Sequence, residues 1–335
     1  MREQVKVPIP GTGQRPKAGR DSFMTHSLDD ALSVLSRFES GTFAGLPRRA
    51  PGARAAILGL PFDTGTNGFR IGCRQGPDHV RHSWLPDRRF LFHSDEDFLS
   101  ALGVVDLGNV ALTPSKIEEA FEHIETATTA LLGAGTVPIA IGGDGSVTLP
   151  QLRAAHRQHG TLAVVHCDAH TDTSDVPGTG RYTTTTTFLR AAEEGLVDPE
   201  LTFHLGARGT LSALTGTRSN ISGVGHRVIP MDDVVRQGVA EVAEEVVAAI
   251  GGRPVYLCWD MDFFDPSAAP GVAMPEWGGA TAREGLALLR ALAPLRTVLF
   301  DLNTVSPPHD IQGLTGNLAG RVILEFLAQL ATRVS

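Results

Sequence analysis

Basic residues are in deficit in this chain: 29 Lys and Arg face 37 Asp and Glu, for a formal charge of −8. That balance argues against nucleic acid or an anionic membrane surface as a partner, because both reward clustered positive charge. Long apolar runs are lacking too; none approaches the ~20 residues that a membrane span requires. Cysteine is scarce. Cys73, Cys167 and Cys258 show no paired spacing, so they read as reduced structural thiols and not as a disulfide framework. Residues 1–20 are basic and rich in Pro and Gly but have no apolar centre of a signal peptide, which points to the cytoplasm. No internal repeat and no second compositional regime interrupts the chain. One domain is therefore expected over residues 26–335, behind a flexible arm at 1–25.

What is present is an ordinary globular composition in a chain long enough to bury a substantial core. A short amphipathic helix is expected at 28–38. From residue 55 onward, short apolar runs end in Gly or Asp and are separated by helical periods. Strands are expected at 55–60, 137–141, 161–167, 202–205, 255–259 and 298–302. Most are apolar almost throughout, as strands buried on both faces of a parallel sheet should be. Helices are expected at 116–132, 234–250, 282–291 and 317–331, where apolar residues recur three and four apart. The alternation implies an α/β fold with a parallel, doubly wound sheet. The five threonines at 183–187 read as part of a loop.

In such sheets ligands sit beyond the carboxyl ends of the strands, and at two strand ends the sequence places acids. The run 161–167 leads into Asp168-Ala169-His170-Thr171-Asp172. In a regular strand the three polar residues would spread over roughly 13 Å, too far for one ion; a loop lets them converge. The run 255–259 ends in Asp260-Met261-Asp262-Phe263-Phe264-Asp265-Pro266. Carboxylates this close beside Trp259, Phe263 and Phe264 repel one another unless a cation neutralises them. Oxygen donors with a single imidazole favour Mn²⁺ over a zinc site rich in thiolate or histidine. Carboxylates from two strand ends could bridge two ions, activating a water and polarising a substrate.

These motifs resemble those of the ureohydrolase family, the arginases, agmatinases and guanidinobutyrases. The resemblance covers most of the chain after residue 42. Thr42-Phe43-Ala44-Gly45-Leu46-Pro47, Gly59-Leu60-Pro61-Phe62-Asp63-Thr64-Gly65 and Gly72-Cys73-Arg74-Gln75-Gly76-Pro77 are similar to its first segments. Asp168 to Asp172 repeats its DAHTD motif. Asp260-Met261-Asp262, Asp265-Pro266 and Pro270-Gly271 repeat its DxDxxDP…PG motif, and the segment from Phe188 to Pro199 is similar to the one after the agmatinase substrate loop. The resemblance implies a three-layer α/β/α sandwich, a homo-oligomer (trimer or hexamer), and hydrolysis of a guanidine-type C–N bond on a small molecule with two Mn²⁺. It implies Asp168, His170, Asp172, Asp260 and Asp262 as ligands, with Asp168 and Asp260 bridging and Asp172 also holding the nucleophilic hydroxide.

Three positions depart from the family pattern. Its GGDHS reads Gly142-Gly143-Asp144-Gly145-Ser146 here, and Gly145 offers no side chain to a metal. One strongly bound Mn²⁺ is thus expected, with the second weak or absent. The family's proton-shuttling histidine falls at Thr184, whose hydroxyl is a poor general acid. The family's guanidinium-binding glutamate falls at Thr304, which cannot form the charge-assisted fork. Arg181, in the substrate loop, is a candidate for binding a carboxylate, and Asp144, Asn303 and His309 are candidate replacement polar groups. Trp259 and Trp277 read as packing residues. Two readings follow: a hydrolase with an altered metal site and substrate pocket, or a catalytically silent relative with a structural, regulatory or binding role. A histone-deacetylase-like hydrolase fits the motifs less well, and Gly142-Gly143 does not form a phosphate-cradling GxGxxG.

Overall fold

The computed structural model describes residues 33–36, 41–65, 69–92, 94, 96–175, 180–210 and 224–333. The expected arm at 1–25 and most of the expected helix at 28–38 lie outside these. Within 33–36 the chain is not helical; Leu35 instead forms an antiparallel bridge with Val110.

Eight strands build one parallel sheet: β1 (Ala55–Gly59), β2 (Val105–Asn109), β3 (Val137–Ile141), β4 (Leu162–Cys167), β5 (Val197–Leu205), β6 (Arg227–Ile229), β7 (Val255–Asp260) and β8 (Thr297–Asn303). Their order is β2-β1-β3-β8-β7-β4-β5-β6. The runs β1, β3, β4, β7 and β8 are buried almost throughout. Alternate residues serve opposite faces: Ala163, Val165, Leu257 and Trp259 pack on one side, and Leu162, Val164, Tyr256 and Cys258 on the other. Helices α1 (Gly76–Ser83), α2 (Phe98–Leu102), α6 (Met231–Gln237), α7 (Val239–Ile250), α8 (Ala282–Ala291) and α9 (Leu314–Thr332) cover the first face. Helices α3 (Ile117–Gly133), α4 (Thr148–His159) and α5 (Thr187–Glu193) cover the second. The result is a three-layer α/β/α sandwich. Among the described residues, no helix is long and apolar enough to cross a membrane.

Several further elements differ from the sequence-based expectation. The helix expected at 234–250 is two, α6 and α7. Gly238 breaks it at φ 95°, a left-handed backbone that other residues rarely adopt. The threonine run is not an extended loop: Thr184–Thr186 form one 3₁₀ turn, and Thr187, buried, opens α5. Of the two tryptophans expected to pack, Trp259 is fully buried, but Trp277 is 76% exposed. Strands β2 and β6 were not foreseen, since Val105-Asp106-Leu107-Gly108-Asn109 mixes polar and apolar residues.

β2 is nevertheless interior, because its acid is answered. Asp106 accepts from Arg81 Nε at 2.8 Å, Arg81 Nη2 at 2.9 Å and the Phe43 amide at 2.7 Å. Both side chains of the ion pair are fully buried. Truncating one member leaves the other charged and unanswered in a dry interior. Asp106→Ala is therefore expected to lose about 3–5 kcal/mol, and the apolar double replacement Arg81→Met with Asp106→Leu distinctly less. Urea denaturation of the three proteins checks this; equal losses from both variants would show that packing, not the stranded charge, sets the cost.

Candidate metal centre

Beyond Cys167 the chain leaves β4 and curls. Asp172 takes a left-handed backbone, φ 51°, which acidic residues tolerate better than most. Its carbonyl accepts from the Phe188 amide at 2.9 Å, pinning the curl to α5. Asp172 thereby returns towards Asp168 instead of continuing away. One ligand atom from each of His166, Asp168 and Asp172 lies within 4.8 Å of the others, and the same holds for Asp168, His170 and Asp262. Asp168 belongs to both groups.

The second loop, after β7, is fastened to the first. Asp262 Oδ1 accepts from the Ala169 amide at 3.0 Å, and its Oδ2 lies 3.2 Å from His170 Nδ1. His170 Nδ1 is also 3.1 Å from Asp168 Oδ1, so this one nitrogen faces two carboxylates. Arg208 clamps the arrangement from behind. Its guanidinium donates to the carbonyls of Asp262 at 2.6 Å, Phe264 at 3.2 Å and Glu276 at 2.9 Å, all from Nη2. The cation nearest the acids is therefore committed to backbone oxygens. Buried carboxylates, an imidazole and converging ligand atoms, with no Lys or Arg of the described residues paired to them, fit a divalent cation.

Asp260 stands differently. Its Oδ1 accepts from the Asp262 amide at 2.7 Å and, in a very short bond, from the hydroxyl of Thr304. Asp260 belongs to neither compact group. Thr304 is held there with φ 65°, a strained backbone for a β-branched residue, and its amide donates to the Gly143 carbonyl at 2.7 Å. At Gly145, a Cβ would lie 3.1 Å from Asp172 Oδ2 and 3.1 Å from the methyl of Thr184. The altered positions 145 and 184 are thus neighbours, and both border Asp172.

A sequence model of the arginase family matches residues 53–328. The chain belongs to the arginase family. It is 34% identical to the mitochondrial guanidino acid hydrolase of Homo sapiens, with 97% of this chain and 96% of that protein covered. It is 35% identical to the guanidinobutyrase of Pseudomonas aeruginosa, over 82% of this chain and 86% of that one. The solved structure of proclavaminate amidinohydrolase from Streptomyces clavuligerus superimposes with a TM-score of 0.81 at 36% identity, covering 88% of this chain and 98% of its own.

Other residues singled out in the sequence take lesser places in this arginase-family site. Asp265 turns away; its carboxylate accepts from the amides of Ser267, Gly278 and Gly279 and shapes a loop. Arg181 pairs with Glu193 at 2.9 Å and lies over the Tyr182 ring. Asp144 is buried, accepting from Thr64 and Ser146. Asn303 points to the far face, where its Nδ2 is 3.2 Å from Thr148 Oγ1. His309 ends a short 3₁₀ turn at Pro307–His309.

His166 was missed because it looks like one residue of an apolar strand. Its Nε2 is 2.8 Å from Asp168 Oδ2. Behind it stand His204, whose Nδ1 is 2.9 Å from His166 Nδ1, and His226, whose Nδ1 is 3.0 Å from His204 Nε2. The three rings thus form one hydrogen-bonded row that ends on Asp168. Burial favours neutrality here: it drives His204 well below its ordinary value and His226 down to about 4. The row holds the His166 ring in place against Asp168. The available signal was a histidine two residues before Asp168 in an otherwise apolar run.

Burial also drives Asp172 and Asp260 well above the usual carboxylate range and raises Asp262. Burial opposes the charged form of His170, but Asp262 and Asp168 beside it win and raise it well above 6.5. Groups with raised values hold protons in the folded state that the unfolded chain releases, so their stabilisation is lost as pH rises. The depressed His204 and His226 act oppositely, but their contribution is complete above the ordinary histidine value. Above about pH 6.5, chelator-treated protein is therefore expected to lose stability with rising pH, and Mn²⁺ should offset that loss by replacing the protons. Thermal unfolding between pH 6.5 and 9 tests it; a melting temperature that is flat, or insensitive to the metal, would contradict the assignment.

Proposed function

We propose that this chain is a divalent-metal hydrolase that uses water to cleave a C–N bond of an amidino or guanidino compound. The observation that carries the reading is the convergence of Asp168, His170 and Asp262 around one point, with Asp172 adjoining through Asp168. The names of the relatives supply the reaction class. Asp168, His170 and Asp262 would hold one ion firmly. A second would draw on Asp172, Asp168 and Asp260, and is expected to be weak, since Gly145 adds no imidazole and Thr304 already occupies Asp260. The oxygen-rich donor set with one imidazole suits Mn²⁺. When bound, the metal supplies Lewis acidity and makes water acidic enough to react near neutral pH.

The chain's own groups do the proton work. Asp172 borders the site through its buried carboxyl, which burial and the charge of Asp168 make readier to hold a proton than a free aspartate. It can accept the proton of the attacking water as the oxygen bonds to the amidino carbon. It can then return that proton to the nitrogen as the C–N bond breaks. Thr184 ionises too poorly to share this task, which leaves it to Asp172. His166 and the two histidines behind it orient Asp168.

Full-length protein dialysed after loading with Mn²⁺ is expected to retain about one ion per chain by elemental analysis and to release urea from at least one guanidino compound. Asp172→Asn should keep the ion yet lower kcat by about 100-fold or more, whereas Asp262→Ala should lose the ion. Negligible metal together with no urea release from any compound would leave the silent homologue as the correct reading.

A further inference from the structure

Beside the metal centre lies a cavity of about 290 Å³, walled by Asp63, Asp144, Thr184, Phe69, Ile71 and Met274 among others. The charged side chains of this wall are already engaged. Asp63 accepts from the Arg74 amide at 2.9 Å and from its Nε at 2.9 Å. Asp144 accepts from the Thr64 amide at 2.6 Å, the Thr64 hydroxyl at 2.7 Å and the Ser146 amide at 3.1 Å. Arg70, which also lines the cavity, donates from Nε to the Val272 carbonyl at 2.8 Å and from Nη2 to the Pro270 carbonyl at 2.6 Å. Asp63 is answered by a guanidinium, whereas Asp144 and Arg70 spend their directed hydrogen bonds on neutral groups of the protein itself. A carboxylate or ammonium on a substrate tail would have to compete with those bonds.

The wall offers apolar surface instead. Phe69 is 95% exposed, Ile71 46% and Met274 46%, and the three come from two separate segments that meet at this one opening. Large apolar side chains left in water and gathered at a cavity mark a binding surface. Cys73, a buried thiol, and Ala273 continue the same character inward.

We infer that the substrate of this site carries an uncharged, apolar tail, an alkyl or arylalkyl group, where the guanidino acid and agmatine relatives by their names take an acid or an amine. The inference rests on the hydrolase reading for the position of the amidino head at the metal centre; the tail preference follows from the wall. Burying the tail against Phe69, Ile71 and Met274 removes apolar surface from water, whereas a charged tail must shed its hydration for groups whose hydrogen bonds are already made within the protein.

The test is isothermal titration of full-length, Mn²⁺-loaded protein with ligands that share one head and differ only in the tail: butylguanidine, phenethylguanidine, guanidinobutyrate and agmatine. Butylguanidine and phenethylguanidine are expected to bind at least about 10-fold more tightly than either charged compound. Met274→Lys, at an exposed position, should reverse the order of butylguanidine and guanidinobutyrate. Equal or tighter binding of guanidinobutyrate to the native protein would show that Arg70 captures carboxylates and would overturn the inference, as would a preference for agmatine or no measurable binding of any ligand. Urea release is scored separately. Tight butylguanidine binding without turnover removes the hydrolase reading alone, and turnover with a charged-tail preference removes this inference alone.

Discussion

Four carboxyl groups, Asp168, Asp172, Asp260 and Asp262, are buried at the ends of two neighbouring strands, and among the described residues no Lys or Arg is paired with them. Their mutual repulsion in a dry setting is the constraint round which the rest of the site is arranged. Each acid has a separate answer. Asp262 is tied to the Ala169 amide, Asp168 lies between two imidazoles, Asp260 takes the Thr304 hydroxyl, and Asp172 retains protons more readily than a free aspartate. These arrangements lower the repulsion but do not remove it, which supports the cation proposed for the point where Asp168, His170 and Asp262 meet.

The three departures from the family pattern look independent in the sequence and are not so in space. A Cβ at position 145 would meet both Thr184 and Asp172, and Thr304 reaches Asp260. Together they exchange two imidazoles and a carboxylate for a hydrogen atom and two hydroxyls. The lost groups lie on one side of the acids, and the His170 side is untouched. On the proposed reading the centre is asymmetric, with one firm ion position and one depleted one, beside a cavity whose charged groups are hydrogen-bonded within the protein.

Much of the fold was legible because parallel strands buried on both faces must be apolar nearly throughout, and the six runs recognised this way are all strands. The two missed strands break that rule for identifiable reasons. β2 carries Asp106, tolerable only because Arg81 arrives from α1, and β6 has just three residues at the sheet edge. Helix α4 was missed because Gln151, Arg153, His156, Arg157 and His159 leave it a narrow apolar stripe. At the site, the ligand acids could be listed from spacing, but their division into a compact group and an engaged Asp260 could not. That depends on one Thr304 hydroxyl, 44 residues away. The histidine chain was hidden similarly, since His166 and His204 meet only through the register of β4 and β5.

The closeness of positions 145 and 184 also bears on how readily the site could accept a further ligand. Any side chain placed at 145 begins with a Cβ 3.1 Å from the Thr184 methyl, so the threonine must give by a few tenths of an ångström. Whether position 145 can take an imidazole again is therefore governed by how far Thr184 can shift, and the two positions are coupled in any such change.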